Sequence, residues 1–150
     1  MFRSTKLLGA LGAAGLALGA ISGSAAADDK FSWYWTGTGA SDYMFRGISF
    51  TDEDPTVNSY FEFAYDTSSI LGTAYLAFWT SNIDNGAYGP WEQDIYAGIR
   101  PVTGPISWDI AAWYYLYGAR DGADSSDLDY FEFKIGASVT PVTNLTLGVT

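Results

Sequence analysis

Across most of its length the chain alternates apolar and polar residues with period two, and the charges keep to one side of that alternation. Val57, Phe61, Phe63 and Tyr65 share one face of a strand against Asn58, Tyr60, Glu62 and Asp66. Trp91, Ile95, Ala97 and Ile99 oppose Glu92, Asp94, Tyr96, Gly98 and Arg100. Ile106 to Tyr117 sets Ile106, Trp108, Ile110, Ala112, Tyr114 and Leu116 against Ser107, Asp109, Ala111, Trp113, Tyr115 and Tyr117, and Tyr130 to Thr140 sets Phe131, Phe133, Ile135 and Val139 against Glu132, Lys134, Gly136 and Ser138. A helix would scatter these charges around its circumference, whereas a strand collects them on one face. Such segregation is required wherever the other face meets surroundings that cannot hydrate a charge.

Seven strands are expected: Phe31 to Arg46, Val57 to Asp66, Ile70 to Ser81, Trp91 to Arg100, Ile106 to Tyr117, Tyr130 to Thr140 and Leu145 to Thr150. The connections Gly47 to Pro55, Asn82 to Pro90 and Gly118 to Asp129 read as long, and those at Thr67 to Ser69, Pro101 to Pro105 and Pro141 to Asn144 as short turns of Pro, Gly, Asn, Thr and Ser. Long loops at one end and short turns at the other match an up-and-down antiparallel transmembrane β-barrel. Strands of roughly ten residues suffice to cross the hydrocarbon at a tilt, and Trp33, Trp35, Tyr65, Trp91, Trp108 and Tyr114 near their ends fit interfacial aromatic girdles. A soluble sandwich or lipocalin-like barrel would also keep one face free of charge, so periodicity leaves both open. Seven strands do not close a conventional barrel, and the chain therefore reads as the N-terminal part of a larger one.

Residues 1–27 read as a secretory signal peptide. Arg3 and Lys6 supply a positive start, Leu7 to Ile21 an apolar run, and Ala25-Ala26-Ala27 a small-residue cleavage pattern ahead of Asp28. Its loss would leave residues 28–150 as the N-terminal portion of an exported outer-membrane barrel. It would also remove two basic residues and no acidic ones, taking the net charge of −10 further negative.

Composition then excludes function classes. The chain has no His and no Cys, which leaves no histidine-based triad, no thiol nucleophile, no disulfide and no zinc cluster. A pI near 4.1 argues against nucleic acid as a partner. A carboxylate-only glycosidase pair such as Asp42 with Glu62 carries no specific signal. The acidic loop residues Asp52-Glu53-Asp54, Asp84, Asp121, Asp124, Asp127 and Asp129 offer oxygens that can bind Ca²⁺ or Mg²⁺, but the third long loop lacks the ligand spacing of a calcium loop, and acidic loops are usually just solvated. The expectation is no enzyme, no cofactor and no dedicated metal site.

One stretch is more specific than the patterning. Ser41-Asp42-Tyr43-Met44-Phe45-Arg46-Gly47-Ile48-Ser49-Phe50-Thr51, followed by Pro55, resembles the opening signature of the TorF-type porin family of proteobacteria, roughly S-D-Y-x-F-R-G-x-S-x-T-x-x-x-P. Trp79-Thr80-Ser81-Asn82 and Glu92-Gln93-Asp94-Ile95-Tyr96-Ala97-Gly98 are similar to its W-x-S-N and E-x-D-x-Y-x-G segments, and Trp113 to Tyr117 and Asp129 to Glu132 fall in the same order. The resemblance implies an outer-membrane β-barrel with a passive pore function, in contact with membrane lipid and lipopolysaccharide.

Residue by residue, the candidates for a pore lining are the charges of the polar face: Asp42, Arg46, Glu62, Glu92, Asp94, Arg100, Asp109, Glu132 and Lys134. Their acidic excess suits cations and small polar solutes. Alternatively they pair across strands and fill a narrow interior, as in small barrels, which would make the protein a non-conducting binding or structural barrel.

Overall fold

The computed structural model describes residues 17–26, 30–86, 88–119 and 128–150. The described chain is all-β: β1 (Ala17–Ala26), β2 (Phe31–Ala40), β3 (Met44–Phe45), β4 (Ile48–Ser49), β5 (Thr56–Asp66), β6 (Thr73–Asn82), β7 (Tyr88–Arg100), β8 (Val102–Thr103), β9 (Ile106–Ala119), β10 (Tyr130–Val142) and β11 (Leu145–Val149). The long strands form one antiparallel sheet in the order β1-β2-β5-β6-β7-β9-β10-β11, curled into a half-barrel, with β8 paired to β9 and β3 to β4 in a separate small hairpin. Each long strand pairs with its sequence neighbour, as an up-and-down meander requires.

Besides shifts of a few residues, such as β6 starting at Thr73 rather than Ile70 because residues 67–72 form the turn, three differences from the sequence expectation bear on the site. The first strand does not run through to Arg46 but ends at Ala40, so Asp42 and Arg46 leave the sheet and residues 41–55 fold back as the β3–β4 hairpin. Arg46 and Gly47 have φ of 51° and 86°, and two successive left-handed residues between Phe45 and Ile48 make the two-residue hairpin turn whose twist suits paired strands. The second connection is shorter than expected, because β6 ends at Asn82 and β7 starts at Tyr88; it is no longer than the turn between β5 and β6. Gly89 and Pro90 therefore lie inside β7, at a register irregularity between Tyr88 and Glu92, a position where a strand tolerates proline.

The third difference lies at the N-terminus. Ala17–Ala26, read as part of a leader, runs antiparallel to β2 from Ala17↔Ala40 to Ala26↔Ser32. The positive start at Arg3 and Lys6 and the cleavage point at Ala27 lie outside the described residues.

The two faces of the sheet divide as the alternation dictates, with the polar one inside. Glu62, Ala64, Tyr75, Ala77, Trp79, Ser81, Glu92, Asp94, Tyr96, Ala111, Tyr115 and Tyr117 are buried on the concave side. Val57, Phe63, Tyr65, Leu76, Trp91, Ile110, Phe131, Phe133 and Ile135 are exposed on the convex side, Phe133 to 85%. Aromatic pairs run along that outer face, among them Trp33 with Phe61 (5.8 Å, nearly parallel) and Tyr114 with Phe131 (5.3 Å).

Candidate functional site

The candidate site is the concave face, built by side chains of one parity from β5, β6, β7, β9 and β10. Because adjacent strands are in register, residues far apart in sequence become neighbours: Trp79 stands opposite Asp94, and Asp94 opposite Tyr115. Among the described residues three ion pairs cross it. Arg100 Nη1 and Nη2 donate to Glu62 Oε1 and Oε2 at 2.7 and 2.8 Å, with the guanidinium 3.7 Å from the centre of the Tyr75 ring. Lys134 Nζ donates to Asp109 Oδ2 at 2.9 Å. Arg46 reaches from the hairpin turn to both oxygens of Glu132, at 2.6 and 2.7 Å.

Tyrosine hydroxyls supply the remaining donors. Tyr60 donates to Glu62, Tyr75 to Asp109 at 2.8 Å, Tyr115 to Glu132 at 3.1 Å, Tyr117 to Glu92 Oε1 at 3.0 Å and Tyr96 to Asp94 Oδ2. A neutral phenol beside a carboxylate satisfies a lone pair without adding charge, which suits an interior carrying more acids than bases.

Glu92 and Asp94 stand apart from the other acids. Like Glu62 they are buried, at 0% and 2% exposure, but among the described residues neither has a basic partner. Glu92 Oε2 and Asp94 Oδ1 find no hydrogen-bond donor, and neither Trp79 Nε1 nor Trp113 Nε1 finds an acceptor.

Over this pair lies the β3–β4 hairpin. Asp42 Oδ1 accepts from Ser49 Oγ at 2.7 Å and Thr51 Oγ1 at 2.8 Å, Tyr43 N donates to Thr51 Oγ1 at 3.1 Å, and Phe50 N to Tyr43 O at 2.7 Å. These bonds hold Tyr43 and Phe50 pointing into the interior, both buried. Tyr43 packs on Trp79 (5.1 Å), Phe45 on Tyr115 (6.2 Å) and Phe50 on Tyr88 (5.6 Å). The neighbouring loop joins in through Asp84 N, which donates to Phe50 O at 2.7 Å. The hydrogen bond from Ser49 holds the Asp42 carboxyl below the usual aspartate range. Burial, and after it the charges of Glu92 and Asp94, pushes the Tyr43 phenol above the usual tyrosine range.

Against this architecture, residues 31–149 match the family described as "Bacterial protein of unknown function (Gcw_chp)". The chain belongs to the Gcw_chp family. No curated protein and no solved structure matches it. The match to the Gcw_chp family begins with β2 and spans the hairpin, the ion pairs and the buried acids alike.

Of the nine candidate lining residues, seven lie on the concave face of the sheet as their parity requires: Glu62, Glu92, Asp94, Arg100, Asp109, Glu132 and Lys134. Asp42 and Arg46 belong to the hairpin instead. Arg46, Arg100 and Lys134 are all paired with carboxylates. Asp42 and Glu62 are not brought together, since each is held by other partners. The motif of Ser41, Asp42, Tyr43, Phe45, Arg46, Gly47, Ser49 and Pro55 builds the hairpin: Asp42 and Ser49 pin its base, Gly47 makes its turn, and Pro55 O accepts from Asn82 Nδ2 at 3.2 Å. Among the described residues no group of three or more His, Cys, Asp or Glu is placed to hold a metal ion; Asp121, Asp124 and Asp127 lie outside them.

The sequence reading missed Tyr43, Phe50 and Thr51 as interior residues. Their signal was Arg46-Gly47 between two short apolar stretches, a turn dipeptide of weaker preference than Asn-Gly.

Proposed function

We propose that this chain forms part of an outer-membrane β-barrel that provides a passive path for small polar solutes or ions, and that it reaches that membrane by way of a signal peptide cleaved after Ala27. The observation that supports this most is the inversion of the sheet: carboxylates, bases and tyrosine hydroxyls fill the concave side while Val57, Phe63, Phe131, Phe133 and Ile135 face outward. A soluble barrel or sandwich buries its apolar face and wets its charges. A lipid-facing barrel does the reverse, because the bilayer solvates the outer face and the interior supplies the polar partners. No helix of the described residues is long and apolar enough to cross a membrane, so a spanning role falls to the strands.

The resemblance to the TorF-type porins points the same way. Cleavage after Ala27 would remove β1 and free the edge of β2, and closure would then require another strand at that edge, since unpaired backbone groups cost several kcal/mol each in lipid. The lipid and lipopolysaccharide of the outer membrane are the surroundings this reading implies.

A second reading, a non-conducting structural barrel, is favoured by one observation: among the described residues Arg100, Lys134 and the hairpin's Arg46 are each neutralised by a carboxylate of the concave face, and the hairpin lays aromatic rings across the interior. Planar-bilayer recording on the full-length protein distinguishes them. Stepwise conductance favouring cations is expected, and a tight seal at high protein load would leave the structural reading. Fractionation into the outer membrane and heat-dependent gel migration test the barrel itself.

A further inference from the structure

The S-D-Y-x-F-R-G motif makes a hairpin that folds inward, although an outward loop would solvate Asp42, Arg46 and Ser49 at no cost. What it covers is a pair of buried acids that, among the described residues, have no basic partner. Glu62, Asp109 and Glu132 each hold a cation, while Glu92 and Asp94 hold none and keep one oxygen each without a donor. Each inward ring of the hairpin packs on a residue next to that pair: Tyr43 on Trp79, which is opposite Asp94; Phe45 on Tyr115, also opposite Asp94; and Phe50 on Tyr88, which touches Tyr117, the donor to Glu92.

The attachment of the hairpin tip is of a different kind from its base. The base is pinned within the hairpin by Asp42, Ser49 and Thr51, bonds that move with it. The tip is tied to the barrel wall by Arg46 on Glu132, 86 residues away, with the arginine side chain 63% and the glutamate 27% exposed. Exposed pairs of this kind contribute about 0–1 kcal/mol and weaken with salt. Besides this clasp, the hairpin is held to the wall by the packing of Tyr43, Phe45 and Phe50 and by the bond from Asp84 N to Phe50 O. None of these is an ion pair, so a preformed hairpin released at its clasp can leave its seat as a unit.

We propose that the β3–β4 hairpin is a displaceable plug, clasped by Arg46 on Glu132, and that Glu92 and Asp94 beneath it are the groups that select cations once it lifts. Buried carboxylates without a counter-charge are costly in the seated state; in an open, wetted path the same two groups form a local negative site that draws cations and repels anions. This rests on the pore reading above and names its gate and its selecting residues.

The chain has no cysteine, so Arg46→Cys with Glu132→Cys in the full-length protein can be joined by a short bis-methanethiosulfonate linker and released with reductant. The link should form in outer-membrane vesicles, and its reduction in a planar bilayer should raise the open fraction at least several-fold. Arg46→Glu, which repels Glu132, should mimic the released state without a linker. In that background Glu92→Gln with Asp94→Asn should bring the cation-to-anion permeability ratio close to one.

Absence of the link in membranes overturns the inward seat. Equal conduction of the linked and released forms overturns the plug while the pore stands. A link that forms while neither the released form nor Arg46→Glu conducts overturns both displacement and the pore, leaving a permanent filling. An unchanged permeability ratio in the Glu92/Asp94 variant overturns their role as the selecting groups.

Discussion

Glu62 shows how much a single interior position carries. Its side chain is fully buried, accepts both terminal nitrogens of Arg100 and also accepts from Tyr60. Glu62→Gln removes the charge and leaves the Arg100 guanidinium with an imperfect partner inside the sheet, for which about 3 kcal/mol is expected, the lower end of the range because Arg100 keeps some exposure. The check is the urea midpoint of the protein refolded in lipid vesicles. Replacing both residues by Met should recover a large part of that loss, since no unpaired charge then remains. Asp42 behaves differently because its partners are neutral hydroxyls. Its carboxyl sits below the usual value of 3.8 in the folded hairpin, so its contribution is fully present above that value and is lost as pH falls through the depressed folded value. The amide exchange of Phe50, whose N–H bonds Tyr43 O, should stay protected from neutral pH to about 4 and lose protection below it; in Asp42→Asn the same amide should show no such transition.

At the scale of elements, two glycines sit where a side chain is strained or has no room. Gly47 has φ of 86° in the hairpin turn, and a valine there costs about 1–3 kcal/mol of backbone strain. That loss should fall on the hairpin alone: Tyr43 and Phe50 become exposed, with Trp79 emission shifting to the red, while the long strands keep their circular-dichroism signal. Gly89 is a matter of room, since a Cβ there would stand 2.2 Å from the Gly118 carbonyl oxygen across the β7–β9 ladder. Gly89→Ala should therefore separate those strands at the irregularity and lower the unfolding temperature of the whole sheet. The long strands were legible in sequence because parity is a local property: Glu62, Glu92, Asp94, Asp109, Glu132 and Lys134 could be put on one face by counting in twos. The turn at Arg46-Gly47 was not, because continuing Tyr43 and Phe45 as a strand satisfies the same count, and only the rings of Trp79, Tyr88 and Tyr115, distant in sequence, make the inward fold favourable. Nor did the alternation show that Glu92 and Asp94 lack the bases that Glu62, Asp109 and Glu132 find, since pairing depends on strand register.

At the scale of the molecule, the decisive quantity is what the convex face meets. Phe133 lies in the interior of β10, 85% exposed, with Phe131 beside it at 6.0 Å and Ile135 two residues on, also exposed. In water such a row costs free energy, and a lysine at its centre would be neutral or favourable, because it interrupts an exposed apolar patch. In a bilayer the sign reverses. A lysine on the lipid face of a barrel costs about 2–4 kcal/mol near the midplane and falls to about 0–1 near the interfaces. Phe133→Lys should therefore lower folding stability in vesicles and reduce the heat-modifiable form, while Val57→Lys, one residue from the start of β5 next to the loops, should cost much less. β10 has an inward-facing control: Ser138, whose hydroxyl lies near the Ser107 carbonyl, should accept lysine at a cost that does not depend on lipid. If Phe133→Lys raises solubility without detergent and leaves stability unchanged, the apolar face is not in lipid. A depth-dependent loss on the outer face alone is the result that a membrane around this half-barrel demands.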